Sequence, residues 1–408
     1  MSTCAKITND WKKVRIDQYF SIQQGKQVSK KNRQGKNQRP FLRTANVFWG
    51  KLDLSELDQM NFTPEEEKRL SLQKGDLLVC EGGDIGRTAM WNGELDRCYY
   101  QNHLHRLRKL NDKIDEHFAL LYLQYAFVYA KLYFGRANIT TIPNLSKSRL
   151  AELEISLPPL KEQKSIARVL TTVQEAIAGQ EALIAKLKAL KRSMMNHLFT
   201  HGTRCEKTKN TEIGELPVSW EVVQLKEVCE KPQYGFTDSA APTGNVRFLR
   251  ITDITEDGVD WTTVPFCNCP EPKKYLLEDG DIVFARIGAT TGKSFFLRKP
   301  DNAIYASYLI RVRATDVNSE YLYYFFQTDA YWKQINSQKG TNLKGGVNGS
   351  ILSQLLVPKC DGSEQIAIAK TLESIDVKIT AVQSKLSIYQ NLFNTLLHEL
   401  MSGERRVV

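Results

Sequence analysis

Two long segments of the chain place hydrophobic residues in alternating steps of four and three positions. The pattern runs from Ile166 to Leu198 in the middle of the sequence and from Ile368 to Leu400 near its end. A heptad pattern of this length predicts a helix with one apolar stripe, which needs a partner helix. We therefore predict that the two helices pack on each other as an antiparallel coiled coil; the alternative is a long helix buried in a globular domain. The predicted contact positions are Ile166, Leu170, Val173, Ile177, Ile184, Leu187, Ile368, Leu372, Ile375, Ile379, Val382 and Leu386.

Matching positions in the two helices are separated by the same 202 residues. Two of them differ in character, because Gln180 and Lys191 are polar where the second helix has Val382 and Phe393. Polar residues at such positions lower the stability of a coiled coil but can fix its register and its partner. Before the second helix, Asp361 is followed three residues later by Glu364, a spacing that predicts a capping box.

The duplication extends beyond the helices. The segment ISLPPLKEQKSIARVL (155–170) returns as LVPKCDGSEQIAIAKTL (356–372), and LQKGDLLV (72–79) returns as LEDGDIVF (277–284). Two copies in one chain predict two similar domains related by approximate twofold symmetry. The predicted domain boundaries are 1–157 and 206–358 for the two globular domains, with helical spacer regions at 158–205 and 359–408.

Short alternating runs between the helices predict strands, and aromatic-rich stretches after them predict helices, so each globular domain is expected to be α+β. The predicted strands are Asp76–Cys80, His103–Arg108, Asp281–Ala285 and Leu309–Arg313. The predicted helices are Phe118–Phe134 and Tyr321–Ile335. A polar loop follows each of these helices. Its candidate DNA contacts are Arg136, Asn138 and Thr140 in the first copy, and Lys339, Thr341, Asn342 and Lys344 in the second.

Charge suggests a polyanionic partner, because 56 Lys and Arg residues outnumber 46 Asp and Glu residues and give a net charge of +10. The segment Gly25–Arg39 contains six basic residues and no acid, which predicts either a DNA-contacting loop or a plain solvated loop. Within it, we predict that Lys30, Lys31 and Arg33 contact phosphates. The full set of candidates in this segment is Lys26, Lys30, Lys31, Arg33, Lys36, Asn37 and Arg39.

Catalytic motifs are missing from the sequence. GATTGKS (288–294) resembles a phosphate-binding loop but has three residues between its glycines instead of four, so we interpret it as a glycine-rich turn. Its Arg286 and Lys293, and Arg87 of the matching first-copy turn, are further candidate DNA contacts. The six histidines show no triad or metal spacing, and the eight scattered cysteines, Cys267 and Cys269 included, suggest reduced structural thiols. We predict no catalytic residue, no metal and no cofactor in this chain.

The N-terminal residues lack the apolar core of a signal peptide, and no apolar run is long enough to span a membrane. A cytoplasmic protein is the simplest interpretation.

At the repeated PPLKEQKSIARVL and GSEQIAIAKTL helices, the chain resembles the specificity subunits of type I restriction–modification systems. The resemblance covers nearly the whole length and includes KGDLLV and DGDIVF, the Gly, Thr and Asn residues of both loops, and the endings LFTHG and LMSG before Arg405 and Arg406. The second copy departs from it where Lys359–Ser363 replaces Pro-Pro-Leu.

The resemblance implies that each globular domain is a target recognition domain for one half of a split, asymmetric DNA sequence. The helices would set the gap between the halves and dock two modification subunits. Those partners would bring adenine methylation with S-adenosylmethionine, and restriction subunits would bring cleavage with ATP and Mg²⁺. Two other classes remain open from the residues themselves: a coiled-coil scaffold that joins proteins, and an enzyme with dispersed catalytic residues.

Overall fold

The structure is a computed structural model that describes residues 11–131, 144–255, 258–341 and 346–407, with side chains described as far as residue 337 in the third range. The chain folds into two compact units. The first comprises Met1–Gly179 and Leu386–Val408, and the second comprises Gln180–Lys385. Each unit therefore contains one globular part and one section of each long helix.

In the first globular part, the strands of the described residues are β1 (Lys12–Arg15), β2 (Phe20–Gln24), β3 (Gln38–Leu42), β4 (Val47–Phe48), β5 (Lys51–Leu52), β6 (Asp58–Asn61), β7 (Leu77–Cys80), β8 (Thr88–Met90), β9 (Tyr99–Tyr100), β10 (Leu104–Lys109) and β11 (Glu154–Leu157). The helices are α1 (Pro64–Leu70), α2 (Glu116–Gln124), α3 (Lys147–Ala151) and the long α4 (Leu160–His201), with shorter helical turns at Ile16–Gln18, Thr44–Asn46 and Tyr125–Tyr129.

In the second globular part, the strands are β12 (Thr208–Thr211), β13 (Gly214–Pro217), β14 (Glu221–Gln224), β15 (Gln233–Tyr234), β16 (Val246–Leu249), β17 (Ile254–Thr255), β18 (Gly258–Val259), β19 (Phe266–Cys267), β20 (Ile282–Ala285), β21 (Ser294–Phe296), β22 (Ala303–Tyr305), β23 (Leu309–Val312) and β24 (Leu356–Lys359). The helices are α5 (Leu225–Val228), α6 (Ser319–Phe325), α7 (Asp329–Thr341), α8 (Gly349–Gln354) and the long α9 (Gly362–Ser402), with 3₁₀ turns at Ile251–Asp253 and Pro272–Tyr275.

The two globular parts share one sheet topology, which confirms the predicted duplication and the α+β class. The first has a four-stranded sheet in the order β2-β10-β7-β8, and the second has β15-β23-β20-β21. Three-stranded sheets follow the same rule, with orders β6-β3-β9 and β19-β16-β22. In each part an early strand also pairs with the strand before a long helix, as β1 does with β11 and β14 with β24. The four predicted strands are present, with ends within one residue of the prediction.

The packing of α4 and α9 is visible within each unit. In the second unit, Ile184 and Leu187 cluster with Ile375, Ile379 and Val382. In the first unit, α4 residues before Gly179 share a core with the C-terminal end of α9, which contributes the buried residues Phe393, Leu397, Leu400 and Met401. In the first unit the N-terminal part of α4 packs on the C-terminal part of α9. In the second unit the C-terminal part of α4 packs on the N-terminal part of α9, so the helices run antiparallel, as predicted.

The aromatic-rich stretches differ in detail from the predicted continuous helices. Tyr321–Ile335 is divided between α6 and α7, because Thr328 accepts a hydrogen bond from the Tyr331 N–H at 3.4 Å and begins a new helix there. In the first part, α2 begins after Asp115, whose side chain caps it, and gives way to a π-helical turn at Tyr125. Residues 132–134 of the prediction lie outside the described residues.

The repeated glutamine of the Glu-Gln pair joins each long helix to its globular part. Gln163 is fully buried; its Oε1 accepts the Asp115 N–H at 2.9 Å, and its Nε2 donates to the Pro158 carbonyl at 2.8 Å. Gln365 accepts the Asn318 N–H at 2.7 Å and donates to the Cys360 carbonyl at 2.7 Å. A primary amide has both a donor and an acceptor, so one side chain satisfies buried backbone groups of two segments.

The glutamate of the pair is also buried, and its partners differ between the copies. Glu162 accepts two hydrogen bonds from the Arg406 guanidinium, the longer at 2.8 Å. Glu364 accepts the Thr203 N–H at 2.7 Å and the Trp220 indole N–H at 3.2 Å. The predicted capping box at Asp361 is therefore wrong, because the Glu364 carboxylate is bound to a distant segment instead of to its own helix start.

Candidate nucleic-acid interface

The basic segment Gly25–Arg39 does not lie entirely in a loop, because Gln38 and Arg39 belong to β3. Its first cation is neutralised inside the fold. The Lys26 ammonium donates to Glu66 at 2.5 Å and to the Asn61 carbonyl at 2.8 Å, and its side chain is 10% exposed. Burial raises the pKa of the Glu66 carboxyl, but hydrogen bonds from the Lys26 ammonium and the Thr63 N–H lower it by more. The pKa of Glu66 is therefore below its ordinary value.

Three further candidates of this segment also have partners from β6 and α1. Arg33 pairs with Asp58 at 2.7 Å, and Arg39 pairs with Glu67 at 2.7 Å. Asn37 donates from its amide to Glu67 and to the Phe62 carbonyl, both at 2.7 Å. The sequence segment contains no acid, but the fold brings acids to it, and this reduces its net positive charge.

Lys30, Lys31 and Lys36 are exposed. Among the described residues, no carboxylate lies within ion-pair distance of these three ammonium groups. They therefore carry the uncompensated charge of the segment. Lys30 and Lys31 remain predicted phosphate contacts, as does Arg33 despite its ion pair with Asp58, and Lys36 remains a candidate DNA contact.

The glycine-rich segments are tight turns, as predicted, and they connect β7 to β8 and β20 to β21. Gly86 and Gly292 have φ values of +82° and +86°, a conformation that a side chain would strain. Arg87 is held to the protein, because it donates to the Thr44 carbonyl at 3.0 Å and pairs with Asp84 at 3.0 Å. Lys293 is exposed and lies 5.4 Å from the centre of the Phe295 ring.

In each copy the glycine turn lies against the end of the predicted DNA-contacting loop. The Leu145 N–H donates to the Glu81 carbonyl at 2.8 Å, and the Val347 N–H donates to the Arg286 carbonyl at 3.0 Å. The loop candidates themselves lie outside the residues whose side chains the structure describes. They are Arg136, Asn138 and Thr140 in the first copy, and Lys339, Thr341, Asn342 and Lys344 in the second. The backbone of Lys339 and Thr341 belongs to α7, so the loop predicted from residue 338 onward begins later than expected.

Exposed aromatic residues beside this turn were missed by the sequence analysis. Tyr234 is 40% exposed and Tyr308 is 56% exposed. The Arg286 guanidinium carbon lies 5.1 Å from the centre of the Tyr234 ring. Strand alternation does not predict these positions, because both residues stand at strand ends, where the pattern is weakest.

The chemistry of possible metal and thiol sites is limited. His197 and His201 lie one helical turn apart with ring centroids separated by 5.1 Å, contrary to the expectation that no histidines pair at metal spacing. Across the described ranges, however, no group of three or more His, Cys, Asp and Glu side chains is arranged to hold a metal ion. Cys267 and Cys269 are buried free thiols, and burial raises the pKa of Cys267 to about 11.

One known family of domains matches this chain twice, once in each copy of the duplication. The model of the type I restriction modification DNA specificity domain matches residues 8–189 and again residues 217–388. The chain belongs to the family of type I restriction–modification specificity subunits. In this specificity subunit, each match covers most of one globular part and much of the long helix that follows it.

Individual relatives of the specificity subunit agree with that assignment. The type I restriction enzyme MjaVIII specificity subunit of Methanocaldococcus jannaschii is 26% identical over 417 residues, which cover 98% of this chain and 94% of that protein. The crystal structure of a type I S subunit from M. genitalium superposes with a TM-score of 0.62 at 16% identity, covering 98% of this chain and 99% of the other. A chain from a study of complex assembly and conformational transition in a type I system has a TM-score of 0.58 at 16% identity, with 97% and 98% covered. These two likenesses show the fold.

Among the described residues, no helix combines the length and apolar content that a membrane crossing requires.

Proposed function

We propose that this specificity subunit recognises a bipartite, asymmetric DNA target, with each globular domain contacting one half. The observation that carries the proposal is one strand frame built twice with different surface chemistry. After β2, the first domain has the exposed cations Lys30, Lys31 and Lys36, whereas the second domain has the neutral and acidic segment 237–245 after β15. Two domains with one frame and different surfaces are suited to two different half-sites.

We propose that the long helices set the spacing between the half-sites. With 42 residues in α4 and 41 in α9, each helix is about 60 Å long at 1.5 Å per residue. This length exceeds one turn of DNA, about 34–36 Å. Two domains held by such helices would contact grooves separated by base pairs that neither domain touches.

We propose that the outer surface of the helices docks two modification subunits. Leu190, Val377 and Ile388 are 47%, 63% and 64% exposed, although they belong to long, well-packed helices. The likeness to a chain from an assembled type I system supports such docking. S-adenosylmethionine would be bound by the modification subunits, and ATP and Mg²⁺ by restriction subunits. The chain would itself be non-catalytic and cytoplasmic, and would dictate where adenine methylation and ATP-dependent cleavage occur.

The proposal is tested by producing the chain together with its modification subunits and mapping methylated adenine across the host genome. We expect one motif with two different half-sites and a fixed gap. Binding of the complex to DNA should also weaken as salt rises, because phosphate contacts release counterions.

Two results would contradict this function. A complex that assembles but binds no DNA at any salt concentration would favour a coiled-coil scaffold. Turnover of DNA by the chain without partners, in the presence of S-adenosylmethionine, ATP and Mg²⁺, would favour an enzyme.

A further inference from the structure

The two domains carry different chemical groups at three positions that the backbone makes equivalent. In the first domain, Gln24 pairs with His105 across β2 and β10, and in the second, Tyr234 pairs with Ile310 across β15 and β23. The residues that follow, Gly25 and Gly235, donate to the Leu104 and Leu309 carbonyls at 3.1 and 3.3 Å. Gln24 and Tyr234 therefore occupy the same place in the frame.

The other two positions are fixed by the neighbouring strands. The Glu81 N–H donates to the His103 carbonyl at 2.9 Å, and the Arg286 N–H donates to the Tyr308 carbonyl at 3.0 Å. Glu81 follows Cys80, which pairs with Leu104, and Arg286 follows Ala285, which pairs with Leu309. We name the set Gln24, Glu81 and His103, with its counterpart Tyr234, Arg286 and Tyr308, the strand-end triplet.

In the first domain the triplet is rich in hydrogen-bond acceptors and centred on a carboxylate. The Gln24 amide donates to Glu81 Oε2 at 3.2 Å, and His103 Nδ1 lies 3.7 Å from the same oxygen. The Glu81 side chain is 13% exposed and that of His103 is 53% exposed. The carboxylate is thus held behind an imidazole that faces outward.

In the second domain the triplet combines one guanidinium with two phenols. The Tyr234 hydroxyl accepts the Gly349 N–H at 2.9 Å, which fixes its ring, and Arg286 lies over that ring. Tyr308 is more than half exposed. Large aromatic groups at the surface beside an arginine form a typical contact surface for nucleic acid.

The location connects the triplet with the proposed DNA surface. Glu81 and Arg286 each accept a backbone hydrogen bond from the end of the polar loop, and Gln24 directly precedes the basic segment. A carboxylate beside DNA is repelled by phosphates, so Glu81 has no role in phosphate binding. Carboxylates instead accept hydrogen bonds from base amino groups, and arginine pairs with guanine O6 and N7.

We propose that the strand-end triplet is a base-contacting site in both domains and that its differing chemistry determines part of each half-site. The inference rests on the proposed function and assigns specificity residues to it. In the second domain, Arg286 selects a guanine, with Tyr308 packing beside it. In the first, Glu81 and His103 select a base with an exposed amino group.

The test uses the complete complex with its modification subunits and genome-wide mapping of methylated adenine. Arg286→Gln should relax one position of a single half-site, with roughly 5- to 150-fold less preference for guanine there. The other half-site and the gap should stay unchanged, which also shows that the complex has folded. Glu81→Gln should alter one position of the opposite half-site.

Matched controls are Lys226→Gln in α5 of the second domain and Lys12→Gln in β1 of the first; both lysines are exposed and neither belongs to the triplet. They should leave the motif unaltered. If the wild-type complex methylates no bipartite motif, that result contradicts the proposed function itself, independently of the variants. An unchanged motif in Arg286→Gln overturns the triplet and leaves the proposed function standing.

If Arg286→Gln loses all methylation, Arg286→Lys is tested in its place. This variant keeps the positive charge but lacks the planar guanidinium that pairs with guanine. Relaxation at one position in this milder variant supports the proposal, and an unchanged motif overturns it.

Discussion

At the residue scale, the repeated Glu-Gln pair has a structural role. Gln163 and Gln365 lie at equivalent places and bind backbone groups of two segments each. The neighbouring glutamates bind Arg406 in one copy and Thr203 with Trp220 in the other. The glutamine contacts are therefore shared by the copies, and the glutamate contacts are specific to each.

We expect Gln163→Leu to destabilise the first unit by about 2–4 kcal/mol, because the partly buried Asp115 N–H and the buried Pro158 carbonyl both lose their partner. Urea unfolding of the purified chain measures this change. The neighbouring Lys164→Gln, at an exposed position, should change stability by less than about 0.5 kcal/mol. Equal stability of the two variants would contradict the role of the glutamine.

The uncompensated cations of the basic segment lead to a second prediction. Replacing Lys30, Lys31 and Lys36 together by Gln should reduce the slope of log affinity against log salt by up to about 2.7, since each phosphate contact contributes about 0.9. The measurement is DNA binding by the assembled complex across a salt series. Lys26→Gln, which removes a charge already paired with Glu66, serves as the comparison and should leave the slope unaltered.

At the element scale, the contact between α4 and α9 differs between the units at the heptad contact position of Lys191. In the second unit, Lys191 pairs with Asp376 at 2.8 Å and donates to Gln327 at 3.1 Å, and the Tyr324 hydroxyl donates to Asp376 at 2.9 Å. In the first unit, the equivalent α9 position is the buried Phe393. Polar residues at heptad contact positions specify which helices pair. This hydrogen-bonded group therefore favours the pairing of α4 with α9 over the pairing of α4 with a second α4 or of α9 with a second α9.

We expect Lys191→Met to destabilise the second unit, because Asp376 then loses its cation partner while it stays half-buried. A double-mutant cycle with Asp376→Leu should give a coupling energy of about 1–2 kcal/mol between the two residues. The exposed Lys186→Met is the control for loss of one positive charge on α4. Additive effects of the two substitutions would contradict a specific pair.

At the scale of the whole molecule, both boundaries between the two units fall within the long helices, so each unit contains part of α4 and part of α9. If the helices set the DNA gap, their length and the gap should change together. Inserting seven residues after Gly179 in α4 and seven after Lys385 in α9 keeps the heptad register and adds about 10.5 Å to each helix.

We expect methylation mapping of this double insertion to give the same two half-sites with a gap longer by about 3 base pairs, at about 3.4 Å per base pair. An insertion in α4 without the matching one in α9 shifts the facing residues out of step and should abolish methylation. The original gap in the double insertion would contradict the proposal that the helices set the spacing.

The sequence by itself determined the elements of this protein and their duplication. Heptad spacing depends on which face of a helix is buried, and alternation depends on which face of a strand is buried, so both patterns are local properties of the chain. The antiparallel pairing followed from the heptad pattern, because each long helix has an apolar stripe that must be buried and the two stripes match in spacing. The division of Tyr321–Ile335 at Thr328 was not predicted, because a single hydroxyl cap interrupts an otherwise continuous apolar pattern.

The tertiary structure decided which charged and polar groups are available at the surface. Lys26 and Arg39 looked like parts of one basic loop, yet Glu66 and Glu67 neutralise them from 40 and 28 residues further along the chain. Glu81 and Arg286 follow the repeated segments LQKGDLLV and LEDGDIVF at the same distance, but only the tertiary structure brings Gln24 to the first and Tyr234 to the second. Ion pairs and surface equivalence depend on which distant segments meet, and the local periodicity of a sequence does not carry that information.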